Sequence, residues 1–414
     1  MPRFLHMADI HLGFNRYDCP ERTKDFFYTL YDVLQIHAVN ESVDFVAIAG
    51  DLFEHRNIQP ATLNQAQKCL ELLATAKIPA IAIEGNHDNR PYGTNTNWLR
   101  YLADWGLLIL LEPSEDAEVI YQPWTPQTRK GGYIDLDCGV RVLGSHWYGA
   151  AAPNAIAQLA NGIAQLPKTC DHTVMLFHHG LEGQVARYAG ALRYGDLMPL
   201  QQAGVDYLAL GHIHKQYCAE NWIFNPGSLE ANNIEESSYT RGAYFVNLSA
   251  DGIHAELRRN YRQRPILRLQ LQAKGQETAD ELAQSARDAV SNAILGGKLD
   301  PQQHPITELR LEGSVGFDPL ELDVRVLQRE LQDMSQSLIF LLRYAVDAIA
   351  YQTPLPDGDR LQIEQETYRD LVTAHNSYKR QSDRIVSGLV GLQEMTLDDR
   401  GDDELYDYLG KLLE

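Results

Sequence analysis

Asp9 and His11 close the stretch MADIHLGF, and Asp51 follows FVAIAG. Asn86, His87 and Asp88 follow IPAIAIEG, His178 and His179 follow TVMLF, and His212 and His214 follow DYLALG. Each group stands where an apolar run stops. In an extended segment, side chains at i and i+2 share a face, so Asp9 and His11 are expected to present lone pairs to one point. One such pair is ordinary turn chemistry, and a lone histidine is more often a satisfied core residue. Five successive runs delivering Asp, Asn or His to one edge read instead as a ligand set. Oxygen and imidazole donors without a thiolate suit Mn²⁺, Fe²⁺, Zn²⁺ and similar ions. Seven side chains (Asp9, His11, Asp51, Asn86, His178, His212 and His214) exceed the needs of one ion and suit two ions sharing a carboxylate. Paired ions of that kind are a device for phosphoester hydrolysis. Gly50, Gly85 and Gly211 each precede a candidate ligand, where the backbone must turn tightly or approach closely.

The elements that must position these residues follow from the apolar pattern. Runs at 3–8, 45–50, 78–85, 141–147, 173–179, 206–212 and 242–248 read as strands, and 22–40 and 60–76 as amphipathic helices. Strands alternating with helices predict an α/β domain with a largely buried sheet, whose sites form outside the carboxyl ends of the strands. The arginine-rich stretch 257–272, with Arg258, Arg259, Arg262, Arg264 and Arg268, marks a domain junction, either a solvated linker or a DNA-contacting patch. Beyond it, half-exposed strand patterns and helical periodicity over 277–294 and 321–349 predict a smaller α+β domain. A two-proline loop at 353–359 precedes a charged, helical segment, 361–414, with an apolar stripe of Val386, Leu389, Val390 and Leu392. The divisions expected are 1–257, 264–352 and 360–414.

The chain has 414 residues, enough for two or three domains. Its five cysteines are scattered without a C-x-x-C pair, which argues against a disulfide framework and suits a reducing cytoplasm. The first residues carry charge too early for a secretory signal, and no apolar run approaches the length of a membrane span. The net charge of −20 argues at first against a polyanionic partner. Residues 1–268, however, hold 22 Lys and Arg against 29 Asp and Glu, and residues 269–414 hold 14 against 27. The acidity is concentrated in the last third, so DNA binding by the first part is neither excluded nor indicated.

The ordered set DIH, GD, GNHD, HHG and GHIH resembles the calcineurin-like metallophosphoesterase superfamily over residues 1 to about 250. Within it, ADIHLG, GDLF, GNHD, ALGHIHK and NPGSLE (225–230) resemble the DNA-repair nucleases of the SbcD type. The resemblance implies a four-layer α/β/β/α sandwich with a smaller α+β capping domain and a helical C-terminal tail. It implies one ion on Asp9, His11, Asp51 and His214, and another on Asp51, Asn86, His178 and His212, with Asp51 bridging. Mn²⁺ is the first expectation, with Fe²⁺, Zn²⁺ or Mg²⁺ as alternatives. His87 would act on the scissile phosphate as proton donor, with Asp88 fixing its tautomer. Of His178 and His179, the former matches the superfamily's ligand before x-Gly.

The implied partners are DNA, an SbcC-type coiled-coil ATPase docking on the tail, and a second copy of the chain; no membrane is implied. Where many relatives place a histidine after GDLF, this chain has Glu54 and then His55. Asp51 is followed by LFEHR, unlike the protein-phosphatase branch, which weighs against a phosphoprotein substrate. The expected function is two-metal hydrolysis of DNA phosphodiesters in the cytoplasm. The rivals are hydrolysis of a small nucleotide or similar ester, and a non-catalytic scaffold.

Overall fold

The structure, a computed structural model, describes residues 1–114, 119–185, 190–348, 365, 367–369, 372, 381–397 and 400–413. Twelve of its strands form two six-stranded sheets. The first takes β1 (Arg3–Met7), β2 (Phe45–Ile48), β3 (Ala80–Ala82) and β4 (Ile109–Leu110). The second takes β5 (Tyr133–Asp135), β6 (Val140–Leu143), β7 (His172–His178), β8 (Tyr207–Gly211), β9 (Tyr217–Ala219) and β10 (Ile223–Asn225). A later hairpin, β11 (Ala243–Ser249) and β12 (Gly252–Arg258), returns to the first sheet, giving the orders β12-β11-β1-β2-β3-β4 and β5-β6-β7-β8-β10-β9.

The apolar pattern dictates the layering. Phe4, Phe45, Ile81, Val142, Leu176, Tyr207 and Phe224 come from both sheets and form one fully buried cluster between them. Stacked rings of Phe4 on Phe45 and Tyr207 on Phe224 fill that seam. Alternate residues of the first sheet face outward onto α1 (Pro20–Val33), α2 (Pro60–Thr75) and α3 (Trp98–Asp104). The second sheet faces outward onto α4 (Ala152–Ala164) and α5 (Tyr194–Gln202). Both faces of each sheet are therefore covered, which is why the strands read as continuous apolar runs. The result is the expected α/β/β/α sandwich.

Residues 266–348 add a three-stranded sheet, β13 (Ile266–Lys274), β14 (Ile306–Val315) and β15 (Ile339–Ala348), in that order, with helices α6 (Ala279–Leu295) and α7 (Val324–Ser335). The helical periodicity expected across 321–349 covers only α7. Gln336 adopts a left-handed conformation (φ 50°) at the end of that helix. Beyond it, buried Phe340 and Leu342 alternate with exposed Arg343, Ala345 and Asp347, a period of two that belongs to a strand.

Four of the five junction arginines have partners within the chain. Arg264 forks onto Asp25 and donates to the carbonyls of Gln303 and His304 at 3.0 and 2.9 Å. Arg268 pairs with Glu308, Arg258 with Glu41 and Glu256, and Arg262 lies 4.6 Å from the Tyr28 ring centre.

By backbone packing the chain divides into two units. One holds 1–272, 279–312 and 322–345, and the other holds 273–278, 313–321 and 346–414. In the second, α8 (Ser382–Leu397) packs against α9 (Asp402–Leu413). Val386 joins Ile385 and Val372, with Tyr368 and Leu389 against them, so part of the apolar stripe is covered inside this unit. The 353–359 loop, Asp398 and Asp399 lie outside the described residues. Among the described residues no helix is long and apolar enough to cross a membrane.

Candidate metal centre

Register brings the candidate ligands level. β1 and β2 are parallel with Met7 opposite Ile48, and β2 and β3 with Ile48 opposite Ala82. Asp9 with His11, Asp51, and Asn86 therefore leave adjacent strands of one sheet at one edge. On the other sheet, β7 and β8 are parallel with His178 opposite Gly211, so His178 ends level with the start of the His212–His214 loop.

The local geometry at Asp9 and His11 differs from the extended segment expected. β1 ends at Met7, and both residues have left-handed backbones, φ 53° and 54°. Asp51 (φ 54°) and His212 (φ 82°) share that conformation, which costs about 1–3 kcal/mol each and is characteristic of functional sites. The loops are locked together by the Ile10 and His11 amides, which donate to the Asp51 carbonyl at 2.8 and 3.1 Å. The close approach expected at the glycines is there. A Cβ on Gly50 (φ 90°) would enter the His178 ring, and one on Gly85 would meet the Asp51 carboxylate.

Three groups of donors result, each with its atoms within 4.8 Å of one another: Asp9, His11 and His214; Asp51, His178 and His212; and His11, Glu54 and His87, of which the first two hold only expected ligands. In the first, His11 Nε2 and His214 Nε2 face each other at 3.1 Å. His11 Nδ1 lies 2.7 Å from Glu54 Oε2, and His214 Nδ1 lies 3.0 Å from Glu236 Oε1. With a carboxylate beside each Nδ1, hydrogen-bonded in the case of His214, neutral rings protonated there turn two bare lone pairs toward each other. In the second group, His178 Nδ1 donates to the Ala49 carbonyl at 2.7 Å. Its Nε2 then meets Asn86 Oδ1 at 3.1 Å and Asp51 Oδ2 at 3.2 Å, and His212 Nδ1 lies 2.8 Å from the same Asn86 oxygen.

Converging acceptors of this kind are relieved by a cation, so these residues fit divalent metal ions. Without one, protons must substitute. Burial disfavours charge on both Asp51 and His178, yet their mutual attraction outweighs it. The Asp51 carboxyl is held well below its usual range, and His178 is lifted to about 9. Burial and then the neighbouring His178 charge push His212 down to about 3.

The remaining candidates separate cleanly. His87 is partly exposed, its amide donates to Asp51 Oδ1 at 2.8 Å, and its ring meets that of His11 edge-on at 5.0 Å. Its Nδ1 lies 2.7 Å from the Glu54 carbonyl, which leaves Nε2 for a substrate. Asp88 is thus not the group at the His87 ring. It is buried and accepts from the amides of Leu52, Phe53 and Gly85 at 3.2, 3.0 and 3.1 Å, pinning one ligand loop to another. Burial and the Asp51 charge raise its pKa to about 6 against those three amides. His179 turns away, with Nε2 3.2 Å from the Gly149 carbonyl.

Sequence reasoning missed three contributors. Glu236 was one acid among many, and only the fold carries it to His214. Trp147 lies 5.8 Å from His178 and 5.1 Å from His212 between ring centres, walling the second group. Asn225, the first residue of NPGS, donates to the carbonyls of Ile213 and Lys215 at 2.6 and 2.9 Å and thereby holds the GHIHK loop. The NPGS motif signalled it, though not its clamping role.

Both the layered fold and the donor set are those of a metal-dependent phosphoesterase. The model of the calcineurin-like phosphoesterase family matches residues 2–216, just over half of the chain, and the chain belongs to that family. Family membership implies divalent metal ions at this centre. The chain is similar to DNA double-strand break repair proteins Mre11. That of Archaeoglobus fulgidus is 30% identical over 250 residues, covering 57% of this chain and 52% of that protein. That of Aeropyrum pernix is 28% identical over 259 residues, covering 61% and 59%. That of Sulfolobus acidocaldarius is 25% identical over 332 residues, covering 78% and 77%. The chain spans little more than half the length of the first two.

Proposed function

We propose that this chain is a two-metal phosphodiesterase that hydrolyses DNA, acting as an SbcD-type nuclease subunit. The carrying observation is the pair of acceptor-rich donor groups brought to one edge by two sheets, with a partly exposed histidine beside them. In this reading Asp9, His11, Asp51 and His214 hold one ion, and Asp51, Asn86, His178 and His212 hold the other, with Mn²⁺ the first expectation. Two bound ions supply Lewis-acid charge for the phosphate and lower the pKa of water. With its Nδ1–H donated to the Glu54 carbonyl, His87 would act in its doubly protonated form, standing over the scissile phosphate and passing the Nε2 proton to the leaving oxygen to end as the neutral ring. Asp88 keeps the Asp51 and Asn86 loops in mutual register. Similarity to the Mre11 repair proteins supports DNA as the substrate.

The test is incubation of the purified chain with end-labelled duplex DNA and Mn²⁺, Mg²⁺, Zn²⁺ or Fe²⁺, beside a panel of small phosphodiesters. Metal-dependent shortening of the DNA, abolished by a chelator, is the expected result. Cleavage of small esters with DNA untouched would replace this reading with its nearest rival, and no cleavage of either would leave a scaffold.

The proposal extends to organisation. Residues 1–257 carry the chemistry, 264–352 cap it, and 360–414 dock a coiled-coil ATPase of the SbcC type in the cytoplasm. Because Val386 is already covered within its own unit, docking would use the outer surface of α8 and α9, where Tyr406 is 74% exposed. Deleting 361–414 is expected to leave metal content and cleavage of short DNA nearly unchanged and to abolish co-purification with such a partner. Early melting of the truncated chain would refute docking as the main role of the segment.

A further inference from the structure

The two donor groups are not supported alike, and the difference centres on Glu54. Its side chain is 14% exposed and its carboxylate lies 2.7 Å from Nδ1 of His11. Its own main-chain carbonyl lies 2.7 Å from Nδ1 of His87. One residue therefore orients a candidate ligand through its side chain and the candidate proton donor through its backbone. Glu236 repeats the first of these contacts on His214, at 3.0 Å. In the other group, His178 leans instead on a neutral partner, the Ala49 carbonyl.

A carboxylate on the far nitrogen of a ligating imidazole fixes its tautomer and orientation and makes the near nitrogen a better donor. We propose that Glu54 is a positioning residue that, with Glu236, makes the His11–His214 site the tighter of the two metal sites. This inference rests on the two-metal reading above. It also gives the acidic residue after GDLF a task of its own. The charge acts chiefly on the metal site, 2.7 Å from His11 Nδ1 against 3.8 Å from His87 Nδ1, while the backbone carbonyl holds His87 at 2.7 Å.

Every substitution at 54 keeps the carbonyl that holds His87, and a metal titration reads the side chain's effect on His11 without involving the proton donor. Co²⁺ is titrated into the full chain, followed by calorimetry and by the visible absorption of the bound ion. The wild type is expected to bind in two steps of unequal affinity. Glu54→Gln should weaken the tighter step about 10–100-fold and shift its absorption band, leaving the weaker step unchanged. Glu236→Gln should weaken the same step. Glu54→Asp, which keeps the charge with a shorter reach, should weaken it less than Glu54→Gln. Wild-type affinity for both steps in Glu54→Gln would overturn the inference, as would weakening of the looser step alone. No nucleic acid enters the titration. A chain that titrates as described yet leaves DNA intact overturns only the proposed substrate, whereas a wild type that binds no Co²⁺ overturns both proposals.

Discussion

Asp51→Asn is expected to fold normally and to lose nearly all bound metal, whereas Asn86→Ala keeps about one ion. Asp51 is the only carboxylate in its donor group, 3.2 Å from His178 Nε2, and is proposed to serve both ions. The amide is the same size, so it fits the space left by Gly85 and can still accept from the His87 backbone. What disappears is a negative charge in a buried site, together with one of the two oxygens that Asp51 can offer. Loss of an outer-shell carboxylate costs about 10–100-fold in affinity, and loss of a shared ligand should exceed that. Asn86 contributes one neutral oxygen to one group, so its removal should be local. Elemental analysis after dialysis decides the matter. Two full equivalents of metal in Asp51→Asn would remove the bridging assignment.

His87→Gln separates holding metal from doing chemistry. Its side chain belongs to neither ligand group proposed for the ions, and its structural tie to Asp51 runs through the main chain, which Gln preserves. Metal content and substrate affinity should therefore stay near wild type while hydrolysis falls by about 10²–10⁴-fold, the usual worth of a positioned proton donor. On an ester with a very good leaving group, which departs without a proton, the loss should shrink to a few-fold. An equal loss on both substrates would rule out proton donation and leave His87 as a binding group.

The strand ends were legible because covered sheets demand uninterrupted apolar runs, and a polar residue closing each run is conspicuous against that background. The same logic put His178 and His212 at strand ends but on the edge of a single sheet, and only the family resemblance implied a second one. What stayed hidden is what only three dimensions supply. Asp9 and His11 converge through left-handed turns, not along a strand, and nothing in D-I-H distinguishes the two. Asp88 sits next to His87 in sequence, which made it the natural partner for that ring. Its carboxylate instead answers three amides that would otherwise lie buried without partners. Residues 338–348 are apolar enough to satisfy a helical or a strand pattern, and neighbouring strand β14 decided between them.

The place of β1 in its sheet bears on how the protein is born. It precedes the other strands in sequence, yet it lies third in the sheet, between β2 and β11, with Leu5 opposite both Val46 and Phe245. The β2 side can zip once Ile48 has left the ribosome. The other side waits for nearly two hundred more residues, and so do the Asn225 clamp and Glu236. Until then the segment leading to Asp9 has an unpaired strand edge, the kind of surface that nascent chains join to the wrong neighbour. Pairing of β1 with β11 carries a large loop-closure cost and should come late in folding. A chain ending before Ala243 thus carries every proposed ligand yet lacks the strand that pairs the far side of β1, so holding the ligands and holding them in place are separate stages of folding.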